Sequence, residues 1–196
     1  MKLVVATHNQ GKVDEIRAIL SLQNPELELV AYDGPEPVED GLSFLENAQI
    51  KARAAFEHTG LPSIADDSGL AVEVLGGSPG IFTAIWAGGR DNVANRRLLL
   101  AQLSDIKPEH RAASFVCTIA LAGPNGEASF TGIWSGAIAT EERGTNGHGY
   151  DPVFVPEGFD LTAAELEPEL KNAYSHRAQA LAQLSGFLAA QGAQNL

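Results

Sequence analysis

The chain holds one cysteine, one methionine and two tryptophans in 196 residues. With Cys117 alone, an intrachain disulfide is excluded and a cysteine-based metal site lacks its second ligand. Cys117 sits in an apolar run, where a thiol is expected to be buried and inert. No run of about 20 apolar residues occurs, so no bilayer span is expected. No secretory leader is expected either, because the chain opens on a strand pattern with Asp14 and Glu15 soon after it. Cytoplasm is the expected location. Basic side chains are also scarce: 13 Lys and Arg against 25 Asp and Glu give a net charge of −12. That balance argues against nucleic acid or membrane as a partner, since both call for a basic face. A small anionic ligand stays open if a few cations gather locally or a divalent cation offsets the repulsion. The five histidines (His8, His58, His110, His148 and His176) lack zinc-ligand spacing. Neither a G-x-G-x-x-G after the first strand nor a nucleophile elbow at Ser68 is present.

Helix and strand patterns alternate in the first half. Lys2–Thr7 reads as a strand, followed by a helix over about 11–22 with Val13, Ile16, Ile19 and Leu20 on one face. Leu27–Tyr32 reads as a second strand, and the Pro/Gly-rich segment 33–41 as a loop. Ser43 and Glu46 form a capping box that opens a helix to about Thr59. Ser63–Ala65 is expected to be a strand ending in an Asp66-Asp67-Ser68-Gly69 turn, with a further short strand at Leu70–Val74. A helix at Asp91–Leu103 precedes two long β runs, Ala112–Ala122 and Glu127–Thr140, around an Asn125-Gly126 hairpin signal. A final helix is expected over about 175–190. The pattern predicts a mixed-sheet α/β protein with flanking helices.

Five groups of residues carry chemistry. Thr7, His8, Asn9, Gln10, Gly11 and Lys12 turn a strand into a helix, which aims backbone N–H groups and a lysine at one spot suited to phosphate. It is not a Walker loop, and an ordinary βα turn explains the same residues. Asp66 and Asp67 point different ways in an extended chain, so one can hold a hard cation such as Mg²⁺ while either orients or deprotonates a water. Local capping in an Asx turn is the alternative. The acidic loop Glu36, Glu39 and Asp40 is a second carboxylate source, and Asn47 and Lys51 share a helix face beyond it. Lys171, Ser175, His176 and Arg177 make an anion-binding group at a helix start, where cations oppose the helix dipole. In the glycine loop, His148, Gly149, Tyr150 and Asp151 offer close backbone approach, a ring to stack on a base and an acceptor for a purine edge. A nucleoside phosphate with Mg²⁺ fits these groups together.

Taken in order, Thr7–Lys12, Glu39–Gly41, Phe44–Ala48 with Lys51-Ala52, Ala65–Leu70, Leu75–Ile81, Gly144–Phe154 and Ser175–Arg177 with Gln179–Leu181 span nearly the whole chain. In these motifs the chain resembles the bacterial dITP/XTP pyrophosphatases, the Ham1-like family related to inosine triphosphatase. The resemblance implies a single domain over 1–196: a mixed twisted sheet with flanking helices, in two lobes around a central cleft holding the site. It implies hydrolysis of ITP, dITP and XTP to monophosphate and pyrophosphate, which cleanses the nucleotide pool, together with Mg²⁺ and a homodimer. Thr7 to Lys12 would bind the triphosphate with Lys51. Glu39 and Asp67 would hold the metal, and Asp67 would accept the proton of the attacking water. Ser68 would contact substrate, and His148–Asp151, Lys171, His176 and Arg177 would surround the base and sugar-phosphate.

The chain departs from the family pattern at three positions. His148 stands where phenylalanine is usual, which gives a smaller ring with a titratable charge. Ile85 stands where Arg or Lys is usual, and Leu170 replaces an acidic residue. Two other readings compete: a Maf-type nucleotide pyrophosphatase, and a nucleotide sensor without catalysis.

Overall fold

Val13, Ile16 and Leu20 are buried on one side of α1 (Gln10–Gln23), as their spacing predicts. They pack with Leu3 and Val5 of β1 (Lys2–Val5) and with Leu181 and Leu184 of the C-terminal helix. The computed structural model describes residues 2–191. Along it follow β2 (Glu28–Ala31), α2 (Phe44–Thr59), β3 (Ser63–Val72), α3 (Asn92–Gln102), β4 (Ala112–Gly123), β5 (Gly126–Ile138), β6 (Phe154–Pro156), α4 (Pro168–Tyr174) and α5 (His176–Gln191). Short 3₁₀ turns occupy Gly80–Ile85 and Asp151–Val153, among others.

The six strands form one sheet in the order β2-β1-β3-β4-β5-β6. β1 runs parallel to β2 and to β3, while β5 and β6 are antiparallel, so the sheet is mixed as expected. The capping signals act as read. Ser43 accepts the Glu46 N–H at the start of α2, and Asp91 accepts the N–H groups of Val93 and Ala94 at the start of α3.

By contacts the chain divides into two compact units. The first comprises Met1–Asp67, Cys117–Gly132 and Arg177–Leu196, and the second Ser68–Val116 and Ile133–His176. The first has a core on either side of its strands: one of Leu3, Ile16, Ile64, Ile119 and Leu184, the other of Val4, Tyr32, Ala52 and Ala65. The second packs Leu70, Leu99, Phe115, Trp134, Phe154 and Leu166 together.

Three expectations are corrected. Asp66–Gly69 is no turn: β3 runs unbroken from Ser63 to Val72. Within it the Asp66 carboxylate pairs with Lys12 and the buried Arg177. The final helix begins where expected, as α5 at His176, but a separate helix, α4, precedes it across an extended Ser175 (φ −60°, ψ 156°). Lys171 therefore belongs to α4, not to the start of α5. Phe154–Pro156 is a strand paired to the end of β5, where the sequence pattern suggested none.

Within the second unit, Arg111 is 3% exposed and donates to three carbonyls: Ile106 at 2.9 Å, Ala139 at 2.9 Å and Leu103 at 2.5 Å. Leu103 caps the C-terminal end of α3, where carbonyls lack helical partners. Arg111→Leu removes all three of these bonds from a buried site, and a loss of about 3 kcal/mol is expected. Urea denaturation measures it; a loss below about 1 kcal/mol contradicts this role.

Candidate active site

In the first unit, the loop after β1 is organised by its own polar side chains. Thr7 Oγ1 accepts the Asn9 N–H at 3.1 Å, and Asn9 Oδ1 accepts the Lys12 N–H at 3.3 Å as the N-cap of α1. His8 is exposed, stacks on the Tyr32 ring (centroids 5.7 Å apart, planes at 9°) and lies with Nδ1 2.9 Å from Glu36. The loop thus leans on the acidic segment that follows β2. Gln10 donates to Asp14 at 2.8 Å, and Gly11 is exposed in the first turn of α1.

Lys12 reaches back to the sheet. Its Nζ lies 2.9 Å from Asp66 Oδ2, and Arg177 Nη2 donates to the same oxygen at 3.1 Å. Arg177 also pairs with Glu15 of α1. Asp66 is 2% exposed. Burial opposes its charge, yet Lys12 and Arg177 overcome that and hold the carboxyl well below the usual carboxylate range. The same pairing raises the Arg177 guanidinium against the effect of its burial. Cys117 packs against Asp66, and burial pushes its thiol up to about 12, which keeps it inert as expected.

Asp67 alternates to the other face of β3 and enters a different set of contacts. Lys51 Nζ lies 3.5 Å from Asp67 Oδ1 and 2.9 Å from Glu39 Oε2. Asn47 donates to Asp67 Oδ2 at 3.3 Å while its Oδ1 accepts the Gly41 N–H at 2.9 Å. Burial raises the Asp67 carboxyl, and Lys51 only partly offsets this, so the net shift is upward. A raised carboxylate is a better proton acceptor than an ordinary one. Burial lowers Lys51, but the facing Asp67, Asp66 and Glu39 leave it raised and charged.

In the second unit, Asp151 is 3% exposed, and its Oδ2 accepts the His148 N–H and the Lys171 ammonium, each at 2.7 Å. That oxygen serves the loop and the lysine, an internal use the purine-edge reading did not foresee. Tyr150 is buried and donates to the Thr83 carbonyl at 3.0 Å, while burial pushes its phenol up to about 12. His176 is 8% exposed and stacks on Phe115 (centroids 5.0 Å, planes at 13°), which in turn meets Phe154 edge-on. His148 and Ile85 are exposed, Gly149 is half-buried with φ +60°, and Ser68 is half-buried beside Asp67 in β3.

Sequence reasoning passed over Glu15, Phe115 and Thr83 and saw Asn47 only as a neighbour of Lys51. Glu15 lies three residues after Lys12 on α1, a spacing that signals a shared face. No local signal marks Phe115 or Thr83.

A full-length comparison decides the family. The Ham1 family model matches residues 3–187. The chain belongs to the Ham1 family. It is 55% identical over 192 residues to the dITP/XTP pyrophosphatase of Leifsonia xyli subsp. xyli, covering 97% of this chain and 96% of that one. It is 51% identical over 189 residues to the dITP/XTP pyrophosphatase of Streptomyces avermitilis, covering 93% and 94%. Among solved structures, the Staphylococcus aureus Ham1 protein superposes with a TM-score of 0.90 at 36% identity, covering 98% of this chain and all of that one. The mixed α/β architecture read from the sequence is thus that of the Ham1 proteins.

The charge cluster around Asp66 yields a pH prediction for this Ham1 chain. The folded-state pKa of Asp66 is depressed, so its stabilisation is present above the unfolded value and lost as pH falls toward the folded one. Asp66→Asn is expected to cost about 3 kcal/mol at pH 7, because two buried cations lose their counter-charge. The gap to wild type should hold to about pH 5 and narrow below about pH 4. Urea melts across pH measure it; a gap that widens in acid contradicts the assignment.

Proposed function

We propose that the protein hydrolyses ITP, dITP and XTP to the monophosphate and pyrophosphate, removing non-canonical purine triphosphates from the nucleotide pool. It is a nucleoside triphosphate pyrophosphatase, as its Ham1 relatives are named. The observation that carries the reading is the convergence of Glu39 and Asp67 on Lys51, with Asn47 bracing Asp67. Two carboxylates within reach of one ammonium nitrogen are hard oxygen donors gathered where a cation is already stabilised. Among the described residues no group of three or more His, Cys, Asp or Glu is arranged for a metal. Two carboxylates suit Mg²⁺, which keeps waters and takes its remaining ligands from substrate phosphates. Glu39 and Asp67 would hold it. A Mg²⁺ ion bound there supplies charge neutralisation to the anhydride oxygens.

In the proposed mechanism, Lys51, Lys12 and the Thr7–Gly11 loop take the triphosphate. Asp67 accepts a proton from a water as its oxygen bonds to phosphorus, and the bridging P–O bond breaks to release pyrophosphate. Ser68 orients the phosphate chain beside Asp67. The nucleoside end is assigned to His148, Gly149, Tyr150 and Asp151, with Lys171, His176 and Arg177. Donors at the 6-oxo edge favour hypoxanthine and xanthine, since adenine presents an amino donor there and would leave them unpaired. We also propose a cytoplasmic homodimer with neither nucleic acid nor membrane as partner, in keeping with the net charge of −12. No helix among the described residues is long and apolar enough to cross a membrane.

A hydrolysis panel of ITP, dITP, XTP, ATP, GTP, dTTP and UTP, with and without Mg²⁺, tests this reading. Preference for ITP, dITP and XTP over ATP by about 100-fold or more is expected, with turnover dependent on Mg²⁺. Preference for dTTP or UTP would mark a Maf-type enzyme, and ITP binding without pyrophosphate release a sensor. In the same assay Asp67→Asn is expected to lower kcat by about 1,000-fold while the fold is kept. Full ITP turnover in that variant removes Asp67 from the mechanism.

A further inference from the structure

The glycine loop before Tyr150 has little conformational preference of its own. Gly144, Gly147 and Gly149 all have positive φ (+81°, +71° and +60°), so the loop depends on contacts from outside it. Asp151 supplies one by accepting the His148 N–H. Asn146 adds two more, donating to the Ala164 and Leu166 carbonyls, and at the His148-Gly149 end a further one comes from Arg96 of α3. Its Nη1 donates to the Gly149 carbonyl at 2.8 Å, and its Nη2 donates to Glu142, at the entrance to the loop, at 3.0 Å. The side chain is only 12% exposed, and its Nε is buried without a hydrogen-bond partner.

The base of this arginine is itself fixed. The neighbouring Asn95 donates to the Ala84 carbonyl at 3.0 Å and accepts the Ala87 N–H at 2.7 Å, which docks α3 on the 80–85 turn. Tyr150 ties the far end of the loop to Thr83 of the same turn. His148 is thus bracketed: its own N–H is held by a carboxylate, and the carbonyl of the next residue by a guanidinium.

We propose that Arg96 is a positioning residue for nucleobase recognition, fixing the His148-Gly149 backbone so that the exposed imidazole is presented in one orientation. This rests on the assignment of His148 to the base under the proposed function. An unpartnered buried Nε is a cost that a purely stabilising side chain would avoid; the planar fork holds two acceptors in fixed, diverging directions, a geometry that the single nitrogen of a lysine does not impose. The role separates from phosphate binding and from chemistry, so it acts on substrate affinity more than on turnover.

The test uses the full chain with Arg96→Met and Arg96→Lys. Three quantities are read: KM and kcat for ITP with Mg²⁺, inhibition by inorganic tripolyphosphate, and amide NMR shifts of Gly149 and Tyr150 without ligand. Arg96→Met is expected to raise the KM for ITP about 10-fold with kcat within about 2-fold. Tripolyphosphate inhibition should stay unchanged, the two amides should shift, and Arg96→Lys should fall between. Unchanged KM and amides, or equal weakening of ITP and tripolyphosphate, overturns the proposal. If Arg96→Met does not fold, Arg96→Lys decides by the same readings. Wild-type protein that fails to turn over ITP overturns the proposed function instead, and the amide shifts still decide the clamp.

Discussion

A single buried oxygen, Asp66 Oδ2, receives both Lys12 and Arg177. Two charges taken out of water are costly unless they are paired and hydrogen-bonded, and removing one partner is worse than never having buried the group. Lys12 stands on α1, Asp66 on β3 and Arg177 on α5, so the pairing ties three elements of the first unit together. Glu15 extends the arrangement by taking the other arm of Arg177. The loop from Thr7 to Lys12 is therefore held from one end by Asn9 capping α1 and from the other by the Asp66 carboxylate.

The neighbouring carboxylate has the opposite character. Asp66 is held far down chiefly by Lys12 and Arg177, whereas Asp67 is raised because burial outweighs Lys51 and Lys12. The pleat of β3 makes this possible, since consecutive side chains leave a strand on opposite faces. One acid organises the cations and the other is left suited to proton transfer.

Much of the scaffold was legible because its signals are local. The stripe Val13, Ile16 and Leu20, the Ser43 box and the Asp91 cap each depend on residues three or four apart. The hairpin between β4 and β5 follows from Asn125-Gly126. What escaped depends on partners distant in sequence. Asp66 reads as a turn former until Arg177 is known to reach it, 111 residues later. Arg111 looks like a surface cation until three carbonyls close round it. Asp151 reads as a ligand acceptor, but Lys171 and the His148 backbone already use one of its oxygens. The seven-residue α4 before Ser175 is too short to show a helical period, so only the helix after it was read.

The division of labour between adjacent aspartates is tested most directly by calorimetric titration of ITP, without Mg²⁺, into wild type, Asp66→Asn and Asp67→Asn. The account predicts that Asp67→Asn binds ITP at least as tightly as wild type, because a negative charge near the phosphates is removed. It predicts that Asp66→Asn binds about 10-fold more weakly or worse, because Lys12 and Arg177 lose their common anchor. Undiminished binding by Asp66→Asn, with loss of binding by Asp67→Asn, would contradict it.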